Sequence, residues 1–476
     1  MNNSKGRLLK KKLFNKKDVG FEKIDSSKKD AIFSFCDDYI EFLISCKTER
    51  ECAIFFEKLL RENGFVNVDE LDDIKPGDKV YYINRKKSLF AAVIGEDKLE
   101  KGLNIIGAHI DSPRLDLKPN PLYEDGGLGL FKTHYYGGIK KYQWTAIPLS
   151  IHGVICLKAG RTVNINIGEK DDDPIFTITD LLPHLGKKQG EKTLTEGIAG
   201  EDLNVLVGSI PYDDEDVDEK VKLNILNILN QKYGIIEEDL ISAELEVVPA
   251  FRARSLGLDY SMVAGYGQDD KASAYTSLRA ICEINNPRKT SLLILSDKEE
   301  VGSMGNTGME SHVFEVFVST LLDKCNQNGY NMLDKVLCNS YMISADVTSA
   351  SDPTYSDVDE KHNAAYLGKG IVLAKYTGSR GKSGASDANG EYVSYIRRIF
   401  NKNNLIYQMN DMGKVDEGGG GTIAYVLANK GMEVIDAGVC VLSMHAPYEV
   451  TSKFDIYNAY EFYKSFYNYN ENIQGN

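Results

Sequence analysis

Residues 103–119 read LNIIGAHIDSPRLDLKP, and this stretch decides the fold class. The apolar run 103–107 has the composition of a buried β-strand, and it leads directly into the polar residues of AHIDSPR. Open α/β sheets keep their active sites at the carboxyl ends of buried strands. The stretch therefore predicts an α/β sheet in which His109 and Asp111 follow a buried strand.

Segments with strand and helix patterns alternate on both sides of this stretch. Thr48 and Glu51 form a capping box, which predicts the start of a helix. The strand-like runs are residues 79–84, 88–95, 291–296, 341–345, 370–375 and 433–439. The helical segments are residues 30–46, 272–285, 309–322, 387–399, 422–430 and 453–469. Such alternation is typical of a sheet covered by helices, so we predict an α/β chain with a three-layer αβα catalytic domain.

The region between the first polar stretch and residue 249 has a different texture. Short β-like pieces, at residues 144–157, 163–167 and 175–178, are separated by charged or glycine-containing connections. We therefore predict a mainly β domain at residues 116–249. It would be inserted into a discontinuous catalytic domain formed by residues 1–115 and 250–476.

The composition excludes several classes of partner. The chain of 476 residues carries 56 Lys and Arg against 70 Asp and Glu, a net charge of −14, which opposes binding to nucleic acid or to anionic membranes. The sequence contains no run of about 18 apolar residues, the length that a membrane-spanning helix needs. The eight cysteines are scattered, as is typical of reduced thiols. These features favour a cytoplasmic protein.

The first seventeen residues form a strongly basic arm. They contain no acid, and although the arm superficially resembles a transit peptide, it has no apolar core and carries a KKK run that is unusual in a presequence. We predict a solvated or docked arm. Its basic residues are Lys5, Arg7, Lys10, Lys11, Lys12, Lys16 and Lys17.

Five polar clusters could carry chemistry, and four of them end or follow an apolar run. They are HID at 109–111, DD at 269–270, DKEE at 297–300, Asp346 and His445. Imidazole and carboxylate groups are ligands that zinc, cobalt and manganese accept. A carboxylate bridging two ions about 3.5–4 Å apart would complete a two-metal hydrolytic site. In a Glu-Glu pair, one carboxylate can bind metal while its neighbour moves a proton.

The ordered motifs resemble the aspartyl aminopeptidase and vacuolar aminopeptidase I family of dinuclear zinc metallopeptidases. The resemblance covers most of the chain, from the first helix to the last. The motifs are GAHIDSPRLDLKP at 107–119, GQDDKASAY at 267–275, SDKEEVGSMG at 296–305, SADVTSA at 344–350, GSRGKSGASDA at 378–388 and SMHAPYE at 443–449. The resemblance implies a phosphorylase/hydrolase-like zinc exopeptidase fold and hydrolysis of the N-terminal residue of peptides.

The resemblance also implies a ligand set for two divalent metal ions. One ion would be held by His109, Asp269 and Asp346. The other would be held by Asp269, Glu300 and His445, with Asp269 as the bridge. Zinc is the expected metal, with cobalt or manganese as alternatives.

Two further roles are implied in the same way. Glu299 resembles the general base and acid, and Asp111 resembles the partner that orients the first histidine. The family also has a cis peptide after the bridging aspartate, here Asp269-Asp270. From the residues alone, either member of each acidic pair could take either role, so Asp270 stays open as the bridge and Glu300 as the base.

The substrate preference stays open between acidic and neutral N-terminal residues. His184 resembles a family histidine that reaches the active site of a neighbouring subunit. His362, in a family-like segment before the strand at 370–375, is a candidate for a substrate contact. Lys375, with Arg380 and Lys382, places positive charge near a segment that shapes the first-residue pocket in the family. These three basic residues would suit an N-terminal Asp or Glu, whereas some relatives prefer neutral residues.

The resemblance implies a homo-oligomer, and the assembly of the family is a hollow tetrahedral dodecamer in which the inserted domain builds interfaces. Its substrates would be peptides rather than folded proteins. One alternative is a related dinuclear carboxypeptidase or amide deacylase, which engages a substrate carboxylate instead of an amine. A second is a non-catalytic scaffold, which is disfavoured because every expected ligand position is filled.

Overall fold

The computed structural model describes residues 4–14, 19–471 and 473, and eleven α-helices lie within these residues. They are α1 (Lys5–Leu13), α2 (Ser26–Ser45), α3 (Glu49–Glu62), α4 (Lys187–Gly190), α5 (Lys220–Tyr233), α6 (Gln268–Cys282), α7 (Val313–Lys324), α8 (Met332–Cys338), α9 (Gly390–Asn403), α10 (Ala424–Ala428) and α11 (Lys453–Tyr467). The capping box at α3 is confirmed, because Thr48 Oγ1 accepts from Glu51 N and the Glu51 side chain accepts from Thr48 N.

The strands, in chain order, are β1 (Val66–Asn67), β2 (Lys79–Asn84), β3 (Ser88–Val93), β4 (Asn104–His109), β5 (Arg114–Asp125), β6 (Leu128–Tyr136), β7 (Leu149–Cys156), β8 (Thr162–Ile167), β9 (Thr177–Ile178), β10 (Val205–Gly208), β11 (Ala243–Pro249), β12 (Arg254–Leu256), β13 (Met262–Gly265), β14 (Ser291–Ser296), β15 (Tyr341–Ser344), β16 (Thr348–Ser349), β17 (Ile371–Ala374), β18 (Gly378–Ser379), β19 (Tyr407–Asn410), β20 (Gly419–Gly420), β21 (Glu433–Gly438), β22 (Cys440–Val441) and β23 (Glu449–Ser452). They form two large sheets and three small ones.

The nine-stranded sheet has the order β1-β2-β3-β14-β4-β15-β21-β17-β19. Its central strand β4 runs parallel to both neighbours, with His109 opposite Ser296 and Gly107 opposite Ser344. Strand β21 is parallel to β15 in turn. The carboxyl ends of β14, β4, β15 and β21 therefore meet at one edge of the sheet, which is where the polar clusters follow in the sequence.

Both faces of this sheet are buried. Successive residues of β4 enter different apolar clusters: Ile105 packs with residues of α7, α8 and α10, and Ile106 packs with residues of α2, α3, α6, α9 and α11. A strand buried on both faces is apolar along its whole length rather than alternating. This burial explains the continuous apolar runs that precede the polar clusters at the ends of the sheet strands.

The second large sheet is built entirely from residues 114–249 and is antiparallel. Its order is β8-β7-β11-β5-β6-β10-β9, and helix α5 contacts β5, β6 and β10. An apolar cluster of its own includes the fully buried Trp144. This sheet is joined to the first through β5, which begins five residues after β4 ends.

The structure departs from the predicted elements in this region. The helix α5 lies in a segment predicted as mainly β, although its apolar residues Leu226, Leu229 and Tyr233 have helical spacing and pack on the sheet. The strand predicted from residue 144 begins only at Leu149. A 3-10 turn ends at Trp144, and Ala146 has a positive φ of 57°, so the chain bends before it can join the sheet.

The described part of the basic arm is the helix α1, all of whose residues are exposed, while Lys16 and Lys17 lie outside the described residues. No helix in the described ranges is long and apolar enough to cross a membrane. All eight cysteines are free thiols.

Candidate metal centre

Five elements bring the predicted ligands to one edge of the nine-stranded sheet. His109 ends β4, Asp346 follows β15, and a 3-10 turn at Glu299–Val301 follows β14. Asp269 lies in the first turn of α6, and His445 lies in the loop before β23. A cavity of about 440 Å³ is lined by the carboxylates and by His445, with His109 buried behind it.

The His109 ring is oriented by Asp111. Its Nδ1 lies 3.1 Å from the Asp111 carbonyl oxygen, which can only accept, and 3.3 Å from Asp111 Oδ1. Nδ1 therefore donates, which leaves Nε2, 3.1 Å from Asp269 Oδ1, as the ring atom available to a metal. Asp346 Oδ1 lies 3.9 Å from the same Nε2. This is the tautomer in which a histidine can bind a metal through Nε2.

The His445 ring is oriented in an equivalent way by the backbone. Its Nδ1 donates to the Gly138 carbonyl oxygen at 2.8 Å, so Nε2 is the ring atom that faces Asp269 Oδ2 at 3.3 Å and Glu300 Oε2 at 3.5 Å. Glu449 fixes the backbone at both His445 and Asp269. Its two carboxylate oxygens accept from His445 N at 2.8 Å and from Asp269 N at 3.0 Å.

Asp269 stands between the two histidines and presents a different oxygen to each. Two sets of potential ligands result, and within each set the atoms lie within 4.8 Å of one another. The sets are His109, Asp269 and Asp346, and Asp269, Glu300 and His445. The peptide bond between Asp269 and Asp270 is cis, as the resemblance implied.

The charges of the cluster fit divalent cations. Burial, and then repulsion from neighbouring aspartates, raises the pKa of the Glu300 and Asp346 carboxyls well above the usual value. Glu300 Oε1 is buried and has no hydrogen-bond partner within the described residues. Burial would also raise the pKa of Asp269, but its contacts with His109 and His445 hold that pKa below the usual value. Divalent cations would offset the repulsion among these carboxylates, and the oxygen and imidazole donors suit zinc.

Glu299 lies beside the ligand sets without belonging to either. Its Oε2 is 3.8 Å from His109 Nε2, and burial raises the pKa of its carboxyl to about 7. Asp111 holds the turn that carries it, because the two Asp111 carboxylate oxygens accept from Glu299 N and Glu300 N, each at 3.2 Å. A carboxyl with a pKa near neutrality can both take and return a proton.

The far part of the cavity is neutral or acidic. Among its described lining residues none is Lys or Arg. Asn410 donates to Thr348 Oγ1 at 2.8 Å, while its Oδ1 is buried without a hydrogen-bond partner there. Asp436 accepts from Thr422 Oγ1 at 2.7 Å, and burial raises the pKa of its carboxyl to about 6. Apolar surface comes from Val347, Val372, Ala374, Met412 and Met444.

Three residues predicted to contact substrate are not brought into this cavity within the single chain. His184 and His362 are exposed, and the His362 backbone N donates to Glu360. Lys375 Nζ lies 3.7 Å from Asp387 Oδ1, outside the cavity lining. Their proposed contacts with substrate stay predictions.

Sequence analysis missed Glu449 and Asn410. Glu449 stands inside the quoted motif SMHAPYE, four residues after His445, so its place in the motif was the available signal. Asn410 is the last residue of β19, and a polar residue at a strand end was the signal for it.

Gly438 lets β21 pass against the backbone of a proposed ligand. A Cβ at this position would lie 1.9 Å from the Asp346 carbonyl oxygen. We expect Gly438→Ala to lower the free energy of unfolding by about 1–3 kcal/mol, the usual cost of overpacking, and to weaken metal binding. Thermal unfolding and zinc content would measure both effects. Gly421→Ala is the matched control, because a Cβ there meets nothing within 4 Å and the residue lines the same cavity. Equal behaviour of the two variants would contradict the expectation.

Comparisons with known proteins identify the family of the chain. The family model of the aminopeptidase I zinc metalloproteases (M18) matches residues 42–467. A probable M18 family aminopeptidase 1 from Clostridium acetobutylicum is 53% identical over 452 residues, covering 94% of this chain and 97% of that protein.

Solved structures of similar proteins include a member of the same family. The crystal structure of an M18 family aminopeptidase from Thermotoga maritima has a TM-score of 0.92 and 45% identity, covering 95% of this chain and 99% of that one. The mApe1 dodecamer of Saccharomyces cerevisiae, at 22% identity, shares the fold with a TM-score of 0.72, covering 92% of this chain and 97% of that one. The chain therefore belongs to the M18 family of zinc metalloproteases and is an aminopeptidase, a hydrolase of peptides.

Proposed function

We propose that this aminopeptidase works through a dinuclear metal centre with Glu299 as its general base and acid. The observation that carries the proposal is the position of Asp269, whose two oxygens face two separately oriented histidines. His109, Asp269 and Asp346 would hold one ion. Asp269, Glu300 and His445 would hold the other. We take both ions as zinc, with cobalt or manganese as alternatives.

The chain's own residues supply positioning and proton transfer. When bound, divalent ions would supply Lewis acidity toward the peptide carbonyl and acidify the attacking water. Glu299 takes a proton from that water and returns it to the leaving amine, which its pKa of about 7 suits at neutral pH. Asp111 keeps Glu299 in place through the backbone of the turn.

We propose a neutral N-terminal residue as the preferred substrate, rather than Asp or Glu. The cavity beyond the proposed ligands offers apolar surface and the acceptor oxygen of Asn410. An acidic side chain there would meet the Asp411 and Asp436 carboxyls without a described cation in the lining. Juxtaposition of like charges costs several kcal/mol, which corresponds to a discrimination of about 100-fold or more.

A panel of X-Ala dipeptides tests both proposals. We expect the zinc-loaded protein to release X from Leu-Ala with a kcat/KM at least about 100-fold higher than from Asp-Ala or Glu-Ala. N-acetyl-Leu-Ala should not be cleaved, because it has no free amine. Faster release of Asp would restore the acidic preference and the role of Lys375. Cleavage of the acetylated peptide would instead favour the carboxypeptidase or deacylase alternative.

The lining of the cavity also disfavours that alternative. A carboxypeptidase or amide deacylase must bind a substrate carboxylate, which normally requires an Arg or Lys. None is found among the described residues that line the cavity. The aminopeptidase assignment is thus supported by the charge of the described cavity lining as well as by sequence similarity to M18 aminopeptidases.

We further propose the domain division predicted from the sequence. Residues 1–115 and 250–476 would form the three-layer αβα catalytic domain, and residues 116–249 the inserted, mainly β domain. Support comes from the two apolar clusters on opposite faces of the nine-stranded sheet and from the separate cluster of the second sheet.

We also propose a homo-oligomer, and the dodecamer named for the yeast relative is the assembly we favour. The segment around His184 supports this, because Leu181, Leu182 and Leu185 are 47, 49 and 68% exposed. A cluster of exposed leucines is typical of a protein interface. In such an assembly His184 would be free to reach a neighbouring active site.

A further inference from the structure

The end of strand β6, in the second sheet, contacts the supports of both proposed histidine ligands. Tyr136 is its last residue, and its hydroxyl donates to Asp111 Oδ2 at 2.8 Å. Two residues later the Gly138 carbonyl oxygen accepts from His445 Nδ1 at 2.8 Å. The end of β6 and the loop after it thus contact the supports of the metal centre at two points.

Asp111 depends on this contact because it is fully buried. Its Oδ1 lies 3.3 Å from His109 Nδ1 and accepts from Glu299 N. Its Oδ2 accepts from Glu300 N and from Tyr136, so Tyr136 supplies the only side-chain hydroxyl donor described for this oxygen. Without that hydroxyl the carboxylate has fewer donors and can rotate away from His109 Nδ1, which then keeps the Asp111 carbonyl oxygen at 3.1 Å as its remaining described acceptor.

The ring of Tyr136 is itself held rigidly. The Arg114 guanidinium lies over it at 3.8 Å from the ring centroid. Arg114 is almost fully buried and is fixed by Glu246 at 3.0 Å and by Asp116 at 2.9 Å. Arg114 and Asp116 belong to β5 and Glu246 to β11, and Glu49 of α3 lies 3.6 Å from Arg114 Nη1. The phenol is therefore placed mainly by the second sheet and not by the strands that carry the ligands.

We propose that Tyr136 is a positioning residue for the metal centre, acting through Asp111 on His109 and on the turn that carries Glu299. This inference rests on the proposed dinuclear metal centre and extends it to the second sheet. Residues that orient metal ligands typically change metal affinity about 10–100-fold when they are removed. The second sheet would then be needed for metal binding within one chain, in addition to any role in assembly.

Tyr136→Phe tests the proposal because it removes only the hydroxyl and keeps the ring beneath Arg114. Tyr135→Phe is the matched control, since the neighbouring side chain points to the opposite face of the strand and is 44% exposed. Zinc-loaded full-length proteins would be dialysed against buffers of graded free zinc, and the bound zinc counted. The unfolding temperature would be recorded after chelation of the metal.

We expect Tyr136→Phe to bind at least one ion about 10–100-fold more weakly, with a chelated unfolding temperature close to that of the parent. Tyr135→Phe should behave as the parent in both measurements. Parent-like zinc affinity of Tyr136→Phe, in a parent that binds two ions, would overturn this inference alone. A parent that binds fewer than two ions would overturn the dinuclear centre and this inference with it. A large fall in the chelated unfolding temperature would assign Tyr136 a structural role and also overturn the proposal.

Discussion

Glu299→Gln is expected to lower kcat by about 10²–10⁴-fold while both metal ions stay bound. The amide keeps the size and shape of the side chain but cannot take a proton from water and return it to the leaving amine. Glu299 belongs to neither ligand set, and its backbone N is held by Asp111, so the site should keep its geometry. Initial rates on Leu-Ala and the zinc content per chain would measure the two effects separately.

Glu300→Gln is the matched comparison because it changes the adjacent carboxylate in the same way. Glu300 Oε2 faces His445 Nε2, and Glu300 Oε1 has no other described hydrogen-bond partner. We therefore expect this variant to lose one ion together with activity. If Glu299→Gln lost an ion and Glu300→Gln kept both, the two roles would be exchanged. Parent-like turnover by Glu299→Gln would refute its role as the base.

The main strands, and the polar residues that follow them, could be predicted because their signals are local, whereas the assignment of metal ligands came from the family resemblance and stays a prediction. The apolar strands ending at His109, Ser296 and Ser344 are buried on both faces, so each appears in the sequence as a continuous apolar run followed by a polar residue. Parallel strands then bring those polar residues to the same edge. The capping box of Thr48 and Glu51 is local in the same sense.

The contacts that were missed depend on packing between distant segments. Gly138 and His445 are separated by 307 positions, and no local pattern marks a backbone carbonyl as a histidine partner. Tyr136 reaches Asp111 because β5 and β6 pair with Arg114 opposite Tyr136, a register that was not predicted from the sequence. The charge of Lys375 was visible in the sequence, but its neighbour Asp387, twelve positions away, was not identified as its partner.

Replacement of the aspartate that bridges the two ions is expected to have the second large effect on metal binding. From the sequence alone, either member of the acidic pair at the start of α6 could be that bridge. Asp269 Oδ1 faces His109 and Asp269 Oδ2 faces His445. Asp270 instead points behind the site: its Oδ2 accepts from His109 N at 3.2 Å, and its Oδ1 is buried with no described hydrogen-bond partner. Burial raises the pKa of Asp270 well above the usual value, which favours its neutral form.

Asp269→Asn should therefore abolish binding of both ions and all activity, whereas Asp270→Asn should keep both ions. Binding of an ion to the folded state stabilises it by about 2.7 kcal/mol when free zinc is 100 times Kd. We expect zinc to raise the unfolding temperature of the parent and of Asp270→Asn, but not that of Asp269→Asn, with zinc counts after dialysis in agreement. A zinc-dependent rise retained in Asp269→Asn and lost in Asp270→Asn would make Asp270 the bridge, because a bridging carboxylate is the one group whose loss removes both sites at once.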